Sequence, residues 1–268
     1  MPTPLKEFEQ GPDYVQSLAR GLLALRSFDV DHANQSVAEI AARTKISRAA
    51  TRRLVLTLQH LGYVHEEGRG YALTPRVLEL GFGYLGTLNL TDLVQSLLES
   101  LAHKINQSCS MAVLDAQSIV YIARVPVRRV MTIALGIGAR LPAFAASMGR
   151  VLLSGLSEAD LETWLAQCEP VKFTPHTVVD PRKLKRIVDT ARTQGYAYVE
   201  QELELGLCSL AVPVRNHSGR VAAALNVSLR YHAGVGREAV KSMLPHLRET
   251  AASIERCLAA HRLAAVSL

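Results

Sequence analysis

Over residues 15–73, apolar positions recur at helical spacing in three short blocks, each closed by a polar break. Val15, Leu18, Leu22 and Leu25 share one face of a helix predicted from about 17 to 28. Residues 29–35 are a polar break. Ser36-Val-Ala-Glu39 then reads as a capping box, in which the serine caps the helix start and the glutamate reaches back. Val37, Ile40 and Ala41 supply the apolar side of that second helix. Residues 44–47 make a turn, and Ser47 is a good N-cap for a third helix. There Ala50, Leu54, Leu58 and Leu61 fall in one stripe, while Arg48, Ala49, Arg52 and Leu56 fall opposite. Gly62 stops the helix. Tyr63-Val-His-Glu and Tyr71-Ala-Leu flank Glu67-Gly-Arg-Gly70 as a two-stranded hairpin. Helix, helix-turn-helix and hairpin in that order predict a winged helix-turn-helix over 14–74, behind a Pro/Glu-rich tail at 1–13.

Thr74-Pro75 is a strong helix start, because proline suits the first helical position. Gly81, Gly83 and Gly86 interrupt the helix that begins there, so 75–90 reads as a short connecting helix whose small residues suit a close dimer contact. From Thr91 the pattern changes. Leu93, Val94, Leu97, Leu98, Leu101 and Ile105 form an amphipathic helix. Strand-like runs come next at 110–115, 119–125 and 130–134, then a loop into a helix near Ser147. Helices at 157–167 and 181–194, strands at 196–199, 209–214 and 221–229, and one final helix from 237 to about 261 complete the chain. The expectation for 91–268 is an α+β domain with an antiparallel sheet.

Charge changes this picture locally rather than globally. The net charge of +6 is spread along 268 residues, enough for about two domains. Between Glu39 and Glu66, however, there is no acidic residue, while Arg43, Lys45, Arg48, Arg52 and Arg53 crowd the turn and the third helix. A helix start carries partial positive charge and prefers Asp or Glu. Arginine there makes sense when a polyanion lies against it. Ser47, Arg48, Thr51, Arg52 and Arg53 occupy the positions that enter a DNA major groove, with Ser36 on the preceding helix and Arg69 on the wing. Ser17 and Arg20 fit either a phosphate contact or a simple cap and solvated arginine.

Enzyme signatures are missing: there is no G-x-S-x-G, P-loop, dinucleotide fingerprint or H-E-x-x-H. Cys109, Cys168, Cys208 and Cys257 are isolated, without metal-ligand spacing, and read as buried thiols. A catalytic thiol at Cys208 has no support from spacing. Neither cofactor nor metal is expected. The start lacks a signal-peptide core and no apolar run reaches about 18 residues, which predicts a cytoplasmic protein without membrane contact.

Three features in the second half suggest ligand chemistry. Ala145-Ala-Ser147-Met-Gly149-Arg150 begins a helix whose free N–H groups and small residues would admit a carboxylate; equally, Ser147 could cap the helix itself while Gly149 serves packing. The acidic run from Glu200 through Glu202 and Glu204 is either a solvated loop or the rim of a site. Asn226 and Ser228 alternate along an otherwise apolar strand, so they share a face and need partners.

These residues together resemble the IclR family of bacterial transcriptional regulators over nearly the whole chain. The likeness is carried by 36–62, by Gly138-Ala-Arg-Leu-Pro-Ala with Ser147-Met-Gly-Arg-Val-Leu-Leu153, and by Gly195-Tyr-Ala through Glu202, Gly206 and Ala211-Val-Pro213. The resemblance implies an N-terminal winged helix-turn-helix, a dimerising linker helix and a C-terminal effector-binding domain related to GAF/PAS folds. It implies a homodimer or tetramer on double-stranded operator DNA. It also implies a small organic acid, aromatic or dicarboxylic, bound by Ser147, Met148, Leu207, Ser209, Asn226 and Ser228, with Glu202 near the mouth. The wording of these motifs is similar to the branch controlling aromatic-acid catabolism. Position 208, often basic in that family, is cysteine here.

Overall fold

A computed structural model describes residues 14–29, 31–81, 92–127 and 135–266 of the chain. Two compact units emerge, Met1–Gly86 and Thr87–Leu268. The tail at 1–13, the connecting segment beyond 81 and the strand expected at 130–134 lie outside the described residues.

The first unit runs α1 (Gln16–Leu25), β1 (Asn34–Gln35), α2 (Val37–Thr44), α3 (Arg48–His60), β2 (Val64–Glu67) and β3 (Gly70–Leu73). The capping box of α2 is formed: Ser36 Oγ accepts from the Glu39 N–H at 3.3 Å and the Glu39 carboxylate accepts from the Ser36 N–H at 2.7 Å. Lys45 turns the chain in the left-handed region, φ 57°, and Ser47 caps α3 by accepting from the Ala50 N–H. Thr74 links the wing to the helical residues 77–81: its hydroxyl donates to the Gly62 carbonyl and accepts from the Arg76 N–H.

Three expectations need correction in this unit. The sheet has three strands in the order β1-β3-β2, because Asn34 and Gln35 pair with Ala72 and Tyr71. Two residues are too few to show periodicity. Their strand is imposed by long-range bonds, Asn34 Nδ2 to the Glu67 carbonyl at 2.8 Å and Gln35 Nε2 to the Ser27 carbonyl at 3.0 Å. Helix α1 ends at Leu25, and its stripe faces outward, with Leu18 63% exposed; Ala24 is the residue it buries. In α3 the buried positions are Thr51, Val55 and Leu58, while Leu61 is exposed and Ala50 and Leu54 are half-buried. Two crossing helices cover only a narrow strip of α3, and that strip lies one position over from the most apolar one. The displaced leucines join α1 in an open apolar groove with Leu18, Leu22 and Leu80.

The second unit runs α4 (Asp92–Ile105), β4 (Ser108–Asp115), β5 (Ser118–Val125), β6 (Arg140–Pro142), a 3-10 turn (Ala143–Ala145), α5 (Ser147–Ser154), α6 (Glu158–Gln167), α7 (Pro181–Gln194), β7 (Ala197–Glu200), β8 (Leu207–Arg215), β9 (Val221–Arg230), α8 (Val235–Ser242) and α9 (Leu244–Val266). The six strands form one antiparallel sheet in the order β6-β5-β4-β9-β8-β7. One face carries Ala112, Tyr121, Ala211 and Ala224, which pack with Met148, Val151 and Leu152 of α5 and with Leu184 and Val188 of α7. The alternate residues Met111, Leu210, Val212, Leu225 and Val227 are buried on the other side. Helices α4 and α9 pack together and against β4, β8 and β9. The single final helix is corrected to two. Pro245 has no N–H to bond the preceding turn, so the ladder stops at Met243 and restarts at Leu244.

Candidate functional site

In the first unit, capping and turn geometry set α3 so that Ser47, Arg48, Arg52 and Arg53 are exposed. Arg69 is exposed at the tip of the β2–β3 hairpin, next to Gly68 with φ 62°. The ion pairs among the described residues of this unit use His32, Arg43 and Arg76, and none involves Arg48, Arg52, Arg53 or Arg69. Arg52 lies near enough to the wing for its charge to act on the Tyr71 hydroxyl, whose pKa is raised first by burial. A row of unneutralised guanidiniums on one exposed helix face is suited to a phosphate backbone and to guanine edges.

Four placements bear on these expectations. Thr51 is fully buried; its hydroxyl faces the Ile46 carbonyl at 3.5 Å, so it supports the scaffold rather than the exposed face. Arg43 is held by Asp29 at 2.7 Å. Ser36 is committed to Glu39 through both its hydroxyl and its N–H. Ser17 does not cap α1, since the N-cap is Val15; Ser17 and Arg20 are both exposed.

In the second unit the start of α5 is built by backbone contact. A Cβ on Gly149 would fall 2.0 Å from the Ala143 carbonyl oxygen, so glycine lets the helix press onto the 3-10 turn before it. The N-cap is Ala146 and no side chain caps the helix. Ser147 therefore does not cap its own helix. Its hydroxyl, in a residue 1% exposed, has no hydrogen-bond partner among the described residues.

Across from it, β9 contributes Asn226 and Ser228, and β8 contributes Ser209 in register with Ser228. Asn226 is 4% exposed and its Oδ1 is likewise unpartnered. Ser147, Met148, Leu207, Ser209, Asn226 and Ser228 all line one small cavity. Tyr121, Leu141 and Leu203 also form its wall, and sequence reasoning missed these. Tyr121 is one of several apolar strand residues, and only the sheet's order brings it opposite Ser147. Burial pushes the Tyr121 hydroxyl up to about 12, with the Arg124 charge pulling against it.

The cavity measures about 20 Å³, room for roughly one water. A ring-sized ligand needs its walls to part, and Met148, Leu203 and Leu207 are the flexible apolar side chains among them. Leaving a buried hydroxyl and a buried amide oxygen unpaired costs on the order of 1–3 kcal/mol each. A ligand that bonds both recovers that cost.

Glu202 is not on the cavity wall. Its carboxylate accepts from Arg150 Nη2 at 2.8 Å and from the Val178 N–H at 2.9 Å. The loop around it is tied by Thr174 Oγ1 to the Gln201 carbonyl and by Thr177 Oγ1 to the Glu202 carbonyl, each at 2.6 Å. It is neither a solvated loop nor a rim at this position; the next residue, Leu203, reaches the cavity instead. Burial draws the Arg150 guanidinium down and the Glu202 charge pushes it back up. An arginine one turn into a buried helix is a visible sequence signal for such a partner, although it does not name the partner. Cys208 is buried and its thiol is raised by burial, opposite to an activated nucleophile. Among the described residues no group of three His, Cys, Asp or Glu could hold a metal ion, and no helix is long and apolar enough to cross a membrane.

Comparison with known proteins finds relatives over nearly the whole chain. Residues 82–256 match the bacterial transcriptional regulator IclR C-terminal model, and residues 17–68 match the IclR helix-turn-helix domain. The chain is 39% identical to the Pca regulon regulatory protein of Pseudomonas putida, over 94% of this chain and 87% of that protein. It is 36% identical to the p-hydroxybenzoate hydroxylase transcriptional activator of Acinetobacter baylyi, over 89% of this chain and 90% of that one. Among solved structures, an IclR homolog from Microbacterium hydrocarbonoxydans complexed with 4-hydroxybenzoate superposes with a TM-score of 0.81 at 26% identity, covering 91% of this chain and 99% of that one.

Proposed function

The chain belongs to the IclR family of bacterial transcriptional regulators, and from that premise we propose that it switches genes of aromatic-acid breakdown in response to a small organic acid bound in the second unit. The observation that carries the proposal is the cavity between α5 and the sheet, lined by a Ser147 hydroxyl and an Asn226 amide oxygen that both lack partners. The names of the two regulatory relatives and the 4-hydroxybenzoate complex support an aromatic acid.

The DNA side of the reading is direct. Arg48, Arg52 and Arg53 enter the major groove on α3, the Ser47 region contacts phosphate, and Arg69 approaches the duplex from the wing. A homodimer or tetramer presents paired recognition helices to a two-fold operator. The effector acts by favouring one arrangement of that assembly, which requires unequal affinity for the two arrangements. The chain is not an enzyme on this reading, and its second unit senses rather than transforms its ligand.

A thermal-shift panel of aromatic and dicarboxylic acids on the full chain tests the reading, because a ligand that binds the native state raises the melting temperature by mass action. Ser147→Leu, which fills the cavity, is expected to abolish the shift and the effector response while binding to the promoter fragment upstream of its own gene survives. A normal ligand titration of Ser147→Leu would remove the cavity from the mechanism.

A further inference from the structure

The polar floor of the effector cavity continues past its wall. Residues directly opposite in antiparallel strands point to the same face and lie within about 5.5 Å at Cβ. Asn226 of β9 is opposite Ser110 of β4, and Ser110 is opposite Arg124 of β5. Arg124, Ser110 and Asn226 therefore form one row across three strands, on the face that also carries Tyr121 and Ser228. The β-bulge between Met111 and Ala112 keeps Tyr121 and Arg124 on that common face despite their odd spacing.

The Arg124 guanidinium reaches the Ser110 hydroxyl at 3.4 Å, a long contact for a charged donor. Elsewhere in this unit Arg140, Arg150 and Arg192 each meet a carboxylate, and Arg124 takes part in none of the ion pairs of the described residues. It is half-buried, so its charge is not fully hydrated, and no carboxylate of the described residues neutralises it. The cavity's own lining holds no Lys, Arg or His. A carboxylate entering a buried space without a cation loses hydration that neutral hydroxyls replace poorly. Arg150 cannot supply the missing charge, because Glu202 already balances it.

We propose that Arg124 is the residue that reads the effector's carboxylate. This rests on the effector reading above and adds its polarity. As the cavity widens toward β5, the guanidinium exchanges its long bond to Ser110 for charge-assisted bonds to the acid. The ligand's apolar body lies against Met148, Leu203 and Leu207, and its distal polar group reaches Ser147. Specificity then divides between two ends. The sheet end selects for a carboxylate and the α5 end selects for length and for a hydroxyl or second acid.

The test is calorimetric titration of the full chain with four probes: 4-hydroxybenzoate and adipate, each against its neutral amide, 4-hydroxybenzamide and adipamide. Arg124→Met, which keeps the stem's packing, is expected to bind the preferred acid roughly tenfold or more weakly while its amide binds as to the unmodified chain. Arg124→Lys restores part of the acid preference, and Ser147→Leu weakens acid and amide together. A folded Arg124→Met protein with an undiminished acid-to-amide preference overturns the proposal. If Arg124→Met does not fold, Arg124→Gln takes its place, and an undiminished acid-to-amide preference in that neutral variant overturns the proposal equally. Should no acid or amide bind the unmodified chain, the effector reading itself fails, a result separate from either.

Discussion

The Arg150 guanidinium and the Glu202 carboxylate meet at 2.8 Å with side chains 3% and 8% exposed, joining the first turn of α5 to the loop after β7. The same carboxylate holds the Val178 N–H, and the same guanidinium donates Nε to the Phe144 carbonyl at 3.1 Å. Three segments around the cavity are thus pinned by one buried pair. Breaking such a pair from one side leaves a charge stranded away from water, which costs more than the pair itself contributes.

Glu202→Ala should therefore destabilise the full chain by about 3–5 kcal/mol in chemical denaturation. Replacing both partners, as Arg150→Met with Glu202→Leu, should recover most of that loss. A double variant as unstable as the single one would show that the cost lies in loop packing rather than in the orphaned charge.

Arg52→Ala should weaken operator binding by about 1–3 kcal/mol if it reads a base edge, or lower the salt dependence by about one ion if it holds phosphate. Filter-binding or anisotropy titrations across a salt series separate the two. Unchanged affinity at every salt would take Arg52 off the DNA.

Thr51 separates scaffold from contact. Thr51→Val keeps its shape and should leave operator affinity unaltered, with a stability change within about 1 kcal/mol. Thr51→Arg places a charge in a fully buried position and should unfold the first unit. Loss of DNA binding by a well-folded valine variant would return Thr51 to the interface.

Gly149→Ala should cost about 1–3 kcal/mol through overpacking against the Ala143 backbone, and should lower effector affinity because α5 must retreat. The measurement is paired: melting temperature without ligand, and affinity at a temperature where the variant is folded. Full stability in the alanine variant would mean the 3-10 turn yields freely.

The Ser36–Glu39 cap carries a pH signature. The Ser36 N–H and then its hydroxyl hold the Glu39 carboxyl below its ordinary 4.5. A depressed folded pKa contributes stability that is complete above the unfolded value and lost as pH falls through the folded one. Glu39→Gln should thus be less stable than the unmodified chain at neutral pH, and the gap should narrow as pH falls below the ordinary 4.5. A gap of constant size from neutral to acid would show that the carboxylate charge contributes nothing.

Much of the first unit is legible where the determining contacts are local. The capping box at Ser36, the cap at Ser47, the stop at Gly62 and the hairpin around Gly68 each depend on residues within a few positions, and each is where the pattern placed it. The outward set Arg48, Arg52 and Arg53 comes from helical period and a missing acid. The inward set does not emerge as cleanly. Thr51 lies in the buried strip although it is less apolar than Leu54 or Leu61, because the crossing of neighbouring helices, not hydrophobicity alone, selects the strip. Near the C-terminus a continuous apolar period points to one helix, while Pro245 carries the local signal for the break at Met243.

The sequence by itself determined most element types and the exposed cationic face, since short-range hydrogen bonding and period govern those, while the six residues that share a cavity wall were named through the family resemblance. Only the tertiary structure decided that Glu202 faces Arg150, 52 positions away, that Tyr121 and Leu203 close the cavity, and that Arg124 stands in one row with Ser110 and Asn226. Those relations depend on which strands become neighbours and in what register. Register is chosen by the packing of the whole sheet, and no local pattern encodes it.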